Sequence, residues 1–217
     1  MKKIWILLVI SSMLLAGKAF AETRFGISGA IVHIDATGSE TEGGEKTNGS
    51  ADNLTVVPSI ILETSASDRV SIGLDYIPLK ADVSSKTKKR TDTELSVTGT
   101  AAHTTTSRSQ QANASLKNHT TLYANVKGDG NAYFKAGLSY VTLETDESLG
   151  TGSKYGNEDI YGYVVGFGTE QDNVRLELLY TDYEDISITS SVARTGVTTN
   201  NKIEADLDTL QLKLSYL

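Results

Sequence analysis

The sequence predicts an all-β protein: an eight-stranded antiparallel up-and-down barrel that crosses a membrane. Three observations predict it. Eight segments of twelve to fifteen residues alternate between apolar and polar side chains. The connections between them run long, short, long, short, long, short, long. An export signal stands in front of them. A strand crosses a bilayer at a barrel's tilt in about 9–11 residues, whereas strands of globular proteins run to about five or six. Short turns at one end and long loops at the other are the mark of an outer-membrane barrel.

The leader comes first. "MKKIWILLVISSMLLAGKAFAE" places Lys2 and Lys3 ahead of an apolar run from Ile4 to Gly17, then a small-residue site at Ala19-Phe20-Ala21. This is the layout of a secretory signal peptide, with an apolar core too short to span a membrane as a helix. Residues 1–21 are expected to be cleaved and residues 22–217 to form one barrel domain. Without Lys2, Lys3 and Lys18 the chain carries 17 basic and 27 acidic side chains. That balance excludes nucleic acid as a partner, because phosphate binding needs clustered cations. Cysteine is absent, so an exported chain must be stabilised by something other than disulfides. Two prolines and an abundance of Thr and Ser agree with β-structure.

The strands follow in order. They are "RFGISGAIVHIDA" (24–36), "LTVVPSIILETSA" (54–66), "RVSIGLDYIPLKADV" (69–83), "ASLKNHTTLYANVK" (114–127), "AYFKAGLSYVTLET" (132–145), "DIYGYVVGFGTE" (159–170), "VRLELLYTDYEDISI" (174–188) and "IEADLDTLQLKLSYL" (203–217). The short links are a turn around Ser67-Asp68, "GDGN" (128–131) and "QDN" (171–173). Gly, Asp and Asn tolerate the positive backbone angles such turns demand. Among the long links, residues 84–113 are Ser/Thr-rich, and the composition points to a flexible segment with a short hairpin extension around "ELSVTG".

Alternation also assigns faces. Leu116, Leu122, Ala124 and Val126 share one side of the fourth strand, and Lys117, His119, Thr121 and Tyr123 share the other. A soluble barrel would turn the apolar face inward; a membrane barrel turns it toward acyl chains. The aromatics favour lipid. Phe25, Phe134, Phe167 and Tyr216 fall near the turn end, and Tyr140, Tyr161, Tyr163 and Tyr180 toward the loop end, forming two interfacial girdles. An open edge is untenable in lipid, so the last strand is expected to pair with the first. Eight strands leave a lumen that side chains fill. The inward charges Glu63, Asp75, Lys117, Lys135, Arg175, Glu177 and Lys213 include both signs. They are therefore expected to pair within a polar, side-chain-filled lumen and not to line a selective pore.

No catalytic constellation emerges. His33, His103 and His119 are the only histidines, and no nucleophile elbow or spaced triad accompanies them. Loop carboxylates such as Glu40, Glu42, Glu45, Asp146 and Glu147 lack calcium-loop spacing. No metal, cofactor or enzymatic activity is expected. "KTKKR" (86–90) is the one basic cluster and reads as a hydrated run.

"AYFKAGLSYV", "VRLELLYTDYEDISI" and "DTLQLKLSYL" resemble the small eight-stranded outer-membrane barrels, the OmpA-like and opacity-like porin family of Gram-negative bacteria. The resemblance covers essentially all of 22–217. It implies an outer-membrane location with both termini periplasmic and the long loops extracellular. The family uses one scaffold for many roles, so the role is a separate expectation: a structural or surface-interaction barrel, with a narrow porin-like channel as the alternative and a loop-borne adhesin or lipid-modifying enzyme after that. The resemblance implies a monomer whose partners are outer-membrane lipid and lipopolysaccharide. Leu210, Leu212, Leu214 and Tyr216 resemble the closing-strand signal by which the barrel-assembly machinery recognises such chains, although the terminal residue is Leu217 and not an in-phase aromatic.

Overall fold

A computed structural model of the chain describes residues 22–42, 44–84, 88–98, 102–148, 154–191 and 200–217, with backbone only at 42, 45, 88–98 and 102–110. The expected signal peptide, residues 1–21, lies outside them. Eleven strands form one sheet: β1 (Thr23–Glu42), β2 (Glu45–Ser65), β3 (Val70–Ile77), β4 (Ala81–Asp82), β5 (Lys88–Thr98), β6 (Ala102–Lys127), β7 (Ala132–Ser148), β8 (Asn157–Gln171), β9 (Val174–Tyr183), β10 (Ile186–Thr189) and β11 (Lys202–Tyr216). Eight of them close a ring in the order β1-β2-β3-β6-β7-β8-β9-β11, each antiparallel to its neighbours. The seam is β11 on β1, with Tyr216 opposite Ile27 and Lys202 opposite Thr41. No edge remains on the ring, so its backbone groups satisfy one another as lipid requires.

The register sets the geometry. One row of outward residues runs Asp52, Asp35, Asp208, Asp182, Tyr163, Leu138, Leu122 and Leu74. It returns to β2 at Leu62, ten residues along the strand from where it began, 52 to 62. A stagger of this size tilts the strands by roughly 40°. The row therefore descends from the loop end into the apolar belt, which is why aspartates give way to leucines along it.

Exposure is inverted relative to a soluble protein. Phe25 and Tyr163 are 71% and 72% exposed, while Arg175, Lys135, Glu63 and Glu177 are each 1% exposed. Outward Ile27, Ile31, Leu54, Val56, Leu138, Leu176, Leu212 and Leu214 complete an apolar belt around the ring. Only a lipid solvent accommodates that distribution. The aromatic positions Phe25, Phe134, Phe167, Tyr216, Tyr161, Tyr163 and Tyr180 all project outward, with Phe134 opposite Phe167 and Tyr140 opposite Tyr161.

Three expectations change. The first long link, "TGSETEGGEKTNGSADN", is not a loop: β1 and β2 stay paired up to Glu42 opposite Glu45. The described part of 84–113 likewise forms a hairpin longer than the expected short extension, with Lys88–Thr98 of β5 laid on residues 102–112 of β6. Thr favours the pleated, extended backbone, and a strand already held in a ring propagates more easily than one formed alone. The third and seventh strands are interrupted. β3 stops at Ile77, before Pro78, and β9 stops at Tyr183; the paths resume in β4 and β10. Pro78 has no N–H to give a ladder.

The fourth strand holds the deepest correction. Its register with β7 slips between Lys117 and Thr120, and Asn118 adopts φ 56°. This β-bulge reverses the alternation. Beyond it Leu116 points inward and is 6% exposed, whereas Leu122 points outward. Leu116 therefore does not share the lipid face with Leu122, Ala124 and Val126.

Candidate functional site

The lumen has two storeys. Toward the short turns it is a polar plug. Glu63, from β2, accepts from Arg175 Nη1 at 2.7 Å and Nη2 at 2.9 Å, from Arg24 Nη2 at 2.9 Å, from the Tyr123 hydroxyl at 2.8 Å and from Asn125 Nδ2 at 3.0 Å. Arg24 and Arg175 also bridge to Glu170. Lys135 pairs with Glu177, whose Oε1 accepts from the Tyr133 hydroxyl at 2.7 Å. Lys213 pairs with Asp75 and donates to Ser59 at 3.0 Å. Four cations (Arg24, Lys135, Arg175 and Lys213) thus meet four carboxylates (Glu63, Asp75, Glu170 and Glu177) across the described lumen, so the plug is neutral. Charges buried this deeply persist only when paired, because desolvation alone costs several kcal/mol per ion.

Two tyrosines interlock the ion pairs. Tyr123 of β6 lies opposite Gly73 of β3, and Tyr133 of β7 lies opposite Gly168 of β8. A Cβ on Gly73 would stand 2.3 Å from the Tyr123 ring, and one on Gly168 would stand 2.5 Å from the Tyr133 hydroxyl. Each ring therefore folds over a glycine because no side chain occupies that place. The Lys135 ammonium sits 3.9 Å from the centre of the Tyr123 ring, and the Arg175 guanidinium carbon 5.1 Å from that of Tyr133. Each tyrosine thus donates to one glutamate and faces the cation of the other pair. Such cation–π contacts strengthen when water is excluded.

Of the seven charges named from sequence, Glu63, Asp75, Lys135, Arg175, Glu177 and Lys213 lie in this plug. Lys117 does not. The bulge at Asn118 turns it to the outer face, where its ammonium lies 2.8 Å from Glu144. That hydrogen bond holds the Glu144 carboxyl, beyond the aromatic row, below the usual carboxylate range. Tyr123, Tyr133, Arg24 and Glu170 were not singled out from sequence. Their strand parity points them inward, but the glycines and partners that give them a role lie on other strands. His119 sits within the lumen against Tyr183, with Nε2 and hydroxyl 2.8 Å apart, whereas His33 faces outward. His103 and "KTKKR" fall where side chains are not described.

Toward the loop end the lumen is not polar, contrary to expectation. Ala30, Val32, Ile34, Val57, Ile77, Leu116, Val141, Ile160, Ile186, Ile188 and Leu207 pack into an apolar layer above the plug. Over that layer opens a cavity of about 520 Å³, walled by residues such as Ala36, Ala51, Ala114, Leu143 and Ile203. The lumen is thus stoppered by charge below and lined with hydrocarbon above.

Leu210, Leu212, Leu214 and Tyr216 all project outward from β11 at 45–59% exposure. This strand is held between β1 and β9.

No protein-family model and no curated protein sequence matches the chain. Solved structures do. The outer-membrane protein AlkL, determined in lipid bilayers, is similar at 14% identity over 91% of this chain and 90% of that one, with a TM-score of 0.51. OprG from Pseudomonas aeruginosa is 13% identical over 91% and 96% of the two chains, with a TM-score of 0.48. Neisserial surface protein A is 12% identical over 88% and 98%, with a TM-score of 0.40. The likeness to AlkL agrees with the ring, the seam and the inverted exposure: the fold is that of a small outer-membrane β-barrel.

Proposed function

We propose that this chain is an integral outer-membrane barrel of a Gram-negative bacterium, closed to through-flow, that acts at its loop end as a structural and surface-display protein. One observation carries the reading: the neutral, fully buried set of ion pairs that crosses the lumen from Glu63 to Lys213. An ion entering that storey would have to break pairs whose remaining partners would be stranded in a low-dielectric interior. In this reading both termini face the periplasm, and the long hairpins β1–β2 and β5–β6 project outside. The apolar belt meets lipid and lipopolysaccharide, and β11 is the strand presented to the assembly machinery. The protein works as a monomer and is not an enzyme.

A narrow channel is the second reading. A void of about 10 Å³ lined in part by Asp75, Thr121, Lys135 and Gln211 favours it, because a space near that size admits a water. Planar-bilayer recording of the refolded mature chain separates the two. The closed reading expects no discrete openings; reproducible unit conductances altered by Lys135→Met or Glu177→Gln would replace it with the channel.

A further inference from the structure

Two strands carry the sheet beyond the ring. The last rung between β6 and β7 is Gln111 opposite Ser148. Beyond it, as far as Ala102, β6 is paired with β5 alone among the described residues. β5 is 11 residues long, roughly 37 Å at about 3.4 Å per residue. On its far edge it has no strand partner among the described residues. Such an edge is a row of backbone N–H and C=O groups ready to take another strand.

Charge along the edge selects what can add to it. β5 begins Lys88-Lys89-Arg90-Thr91-Asp92-Thr93-Glu94, with cationic residues on one side of Thr91 and acidic residues on the other. Positions 88, 90, 92 and 94 share one face of the strand. Charged residues, lysine above all, commonly guard an edge against pairing, but that defence fails when both signs stand in mirror order. Laid antiparallel on itself about Thr91, the strand sets Arg90 opposite Asp92 and Lys88 opposite Glu94, each twice by symmetry. A shift of two residues either way puts Arg90 against Arg90 or Asp92 against Asp92. Parallel pairing in register puts like against like throughout. Opposite charges directly across a ladder stabilise it and like charges oppose it, so one arrangement is favoured. Within the hairpin Asp92 already lies opposite Arg108 of β6, and an added Arg90 places that acidic position between two cationic ones.

We infer that β5 is a homotypic docking edge, which pairs antiparallel with β5 of a second copy about Thr91. The direction of the strand decides where that copy sits. Within one membrane every copy sends β5 away from the bilayer the same way, so neighbours present parallel strands. An antiparallel partner is inverted and is therefore anchored in a facing membrane. Each barrel stays a monomer in its own bilayer, and the pairing joins two membranes. The inference rests on the reading that places the β5–β6 hairpin outside the cell, and it names the partner that surface display would take. A pairing from Lys88 to Glu94 is weak alone, and many copies on two apposed surfaces supply the strength.

The test uses proteoliposomes made by detergent dialysis, which seats barrels both ways round and so leaves hairpins on every outer surface. Vesicles bearing the mature chain are expected to aggregate, read by light scattering, where empty vesicles do not. Lys88→Glu with Arg90→Glu makes the edge acidic, and Asp92→Lys with Glu94→Lys makes it basic. Each pair of changes should slow aggregation at least fivefold. Mixing the two populations should restore it to within twofold of the parent, a recovery that misfolded variants could not give. The chain has no cysteine, so Thr91→Cys supplies one thiol on the symmetry axis, at a Cα separation suited to a disulfide. Oxidising mixed vesicles that carry long-tagged and short-tagged Thr91→Cys chains should give long–short dimers at least fivefold above those from Thr93→Cys, which the register sets opposite Lys89. A membrane-impermeant maleimide applied to intact cells making Thr91→Cys checks the placement. An unlabelled thiol refutes the external hairpin and the inference with it, whereas a labelled thiol on vesicles that stay dispersed overturns the pairing alone. So do charge-reversed vesicles that aggregate like the parent, a mixture that stays dispersed, or crosslinks no stronger at 91 than at 93 or confined to chains of equal tag.

Discussion

Removing the Glu63 carboxylate should be among the most damaging single changes in the barrel interior. Glu63 is 1% exposed and accepts five hydrogen bonds, three of them from guanidinium groups. In Glu63→Ala, Arg175 keeps only Glu170 as a carboxylate partner, the Tyr123 hydroxyl loses its acceptor, and the Asn125 amide is left with its 3.4 Å contact to Ser71 Oγ. Breaking a buried ion pair by deleting one partner costs about 3–5 kcal/mol. Orphaning a neutral buried donor adds about 1–3 kcal/mol, partly offset where water enters the space the side chain vacates. A loss of about 3–5 kcal/mol is therefore expected, more than a hundredfold in the folded-to-unfolded ratio. Urea unfolding of the refolded barrel in lipid vesicles, read by the heat-modifiable gel band, measures it. The cycle with Arg175→Met should show strong coupling, because the double variant removes the stranded charge along with its partner. A Glu63→Ala barrel within about 0.5 kcal/mol of the parent, or strictly additive losses in the cycle, would refute the reasoning that paired charge holds the lower storey together.

Other expectations follow from the same contacts. Gly73→Ala and Gly168→Ala each put a methyl group into a tyrosine folded over the glycine. Each should cost about 1–3 kcal/mol in that urea assay, while Gly29→Ala, which meets nothing within 4 Å, should be close to neutral. Asn118 sits at φ 56°, so Asn118→Gly should hold or raise stability by up to about 1 kcal/mol, whereas Asn118→Val should lower it by about 1–2 kcal/mol. Asp208 lies directly opposite both Asp35 and Asp182, and like charges so placed repel by about 0.2–1 kcal/mol a pair. Asp208→Asn should therefore raise the unfolding midpoint at low ionic strength, and the gain should shrink as sodium chloride screens the row.

What could be read from the sequence is what depends on one strand at a time. Alternation in "VRLELLYTDYEDISI" sends Val174, Leu176, Leu178 and Tyr180 to lipid and Arg175 and Glu177 inward without knowledge of any neighbour, and the structure has them so. The closing strand worked in the same way, Lys213 inward and Leu212 outward. Reading failed where a single residue changed the phase. Nothing about Lys117-Asn118 in the sequence marks a bulge, yet it moves Lys117 out of the lumen and Leu116 into it. At 84–113 composition does not show how far the hairpin around "ELSVTG" extends, because Thr is as much at home in an extended strand as in a loop; the structure pairs Lys88–Thr98 with residues 102–112.

The apolar upper storey was hidden for a different reason. In "GAIVHI" both faces are hydrophobic: Ile31 meets lipid while Ala30, Val32 and Ile34 meet the lumen. Period-two alternation disappears when both sides of a strand are greasy, so a reading built on alternation infers a polar interior by default. The loss of alternation was itself the signal. It recurs in "YGYVVGF", where Val164 turns inward and Val165 outward, with Ile160 also inward just before it. On an eight-stranded ring, unbroken apolar runs placed beyond the charged tier can mean only that the interior changes character along its axis. The change falls between the Lys213–Asp75 pair and the layer at Ile34, Ile77 and Leu116. Below that line the lumen is filled by charge matched with charge, and above it the described walls are hydrocarbon.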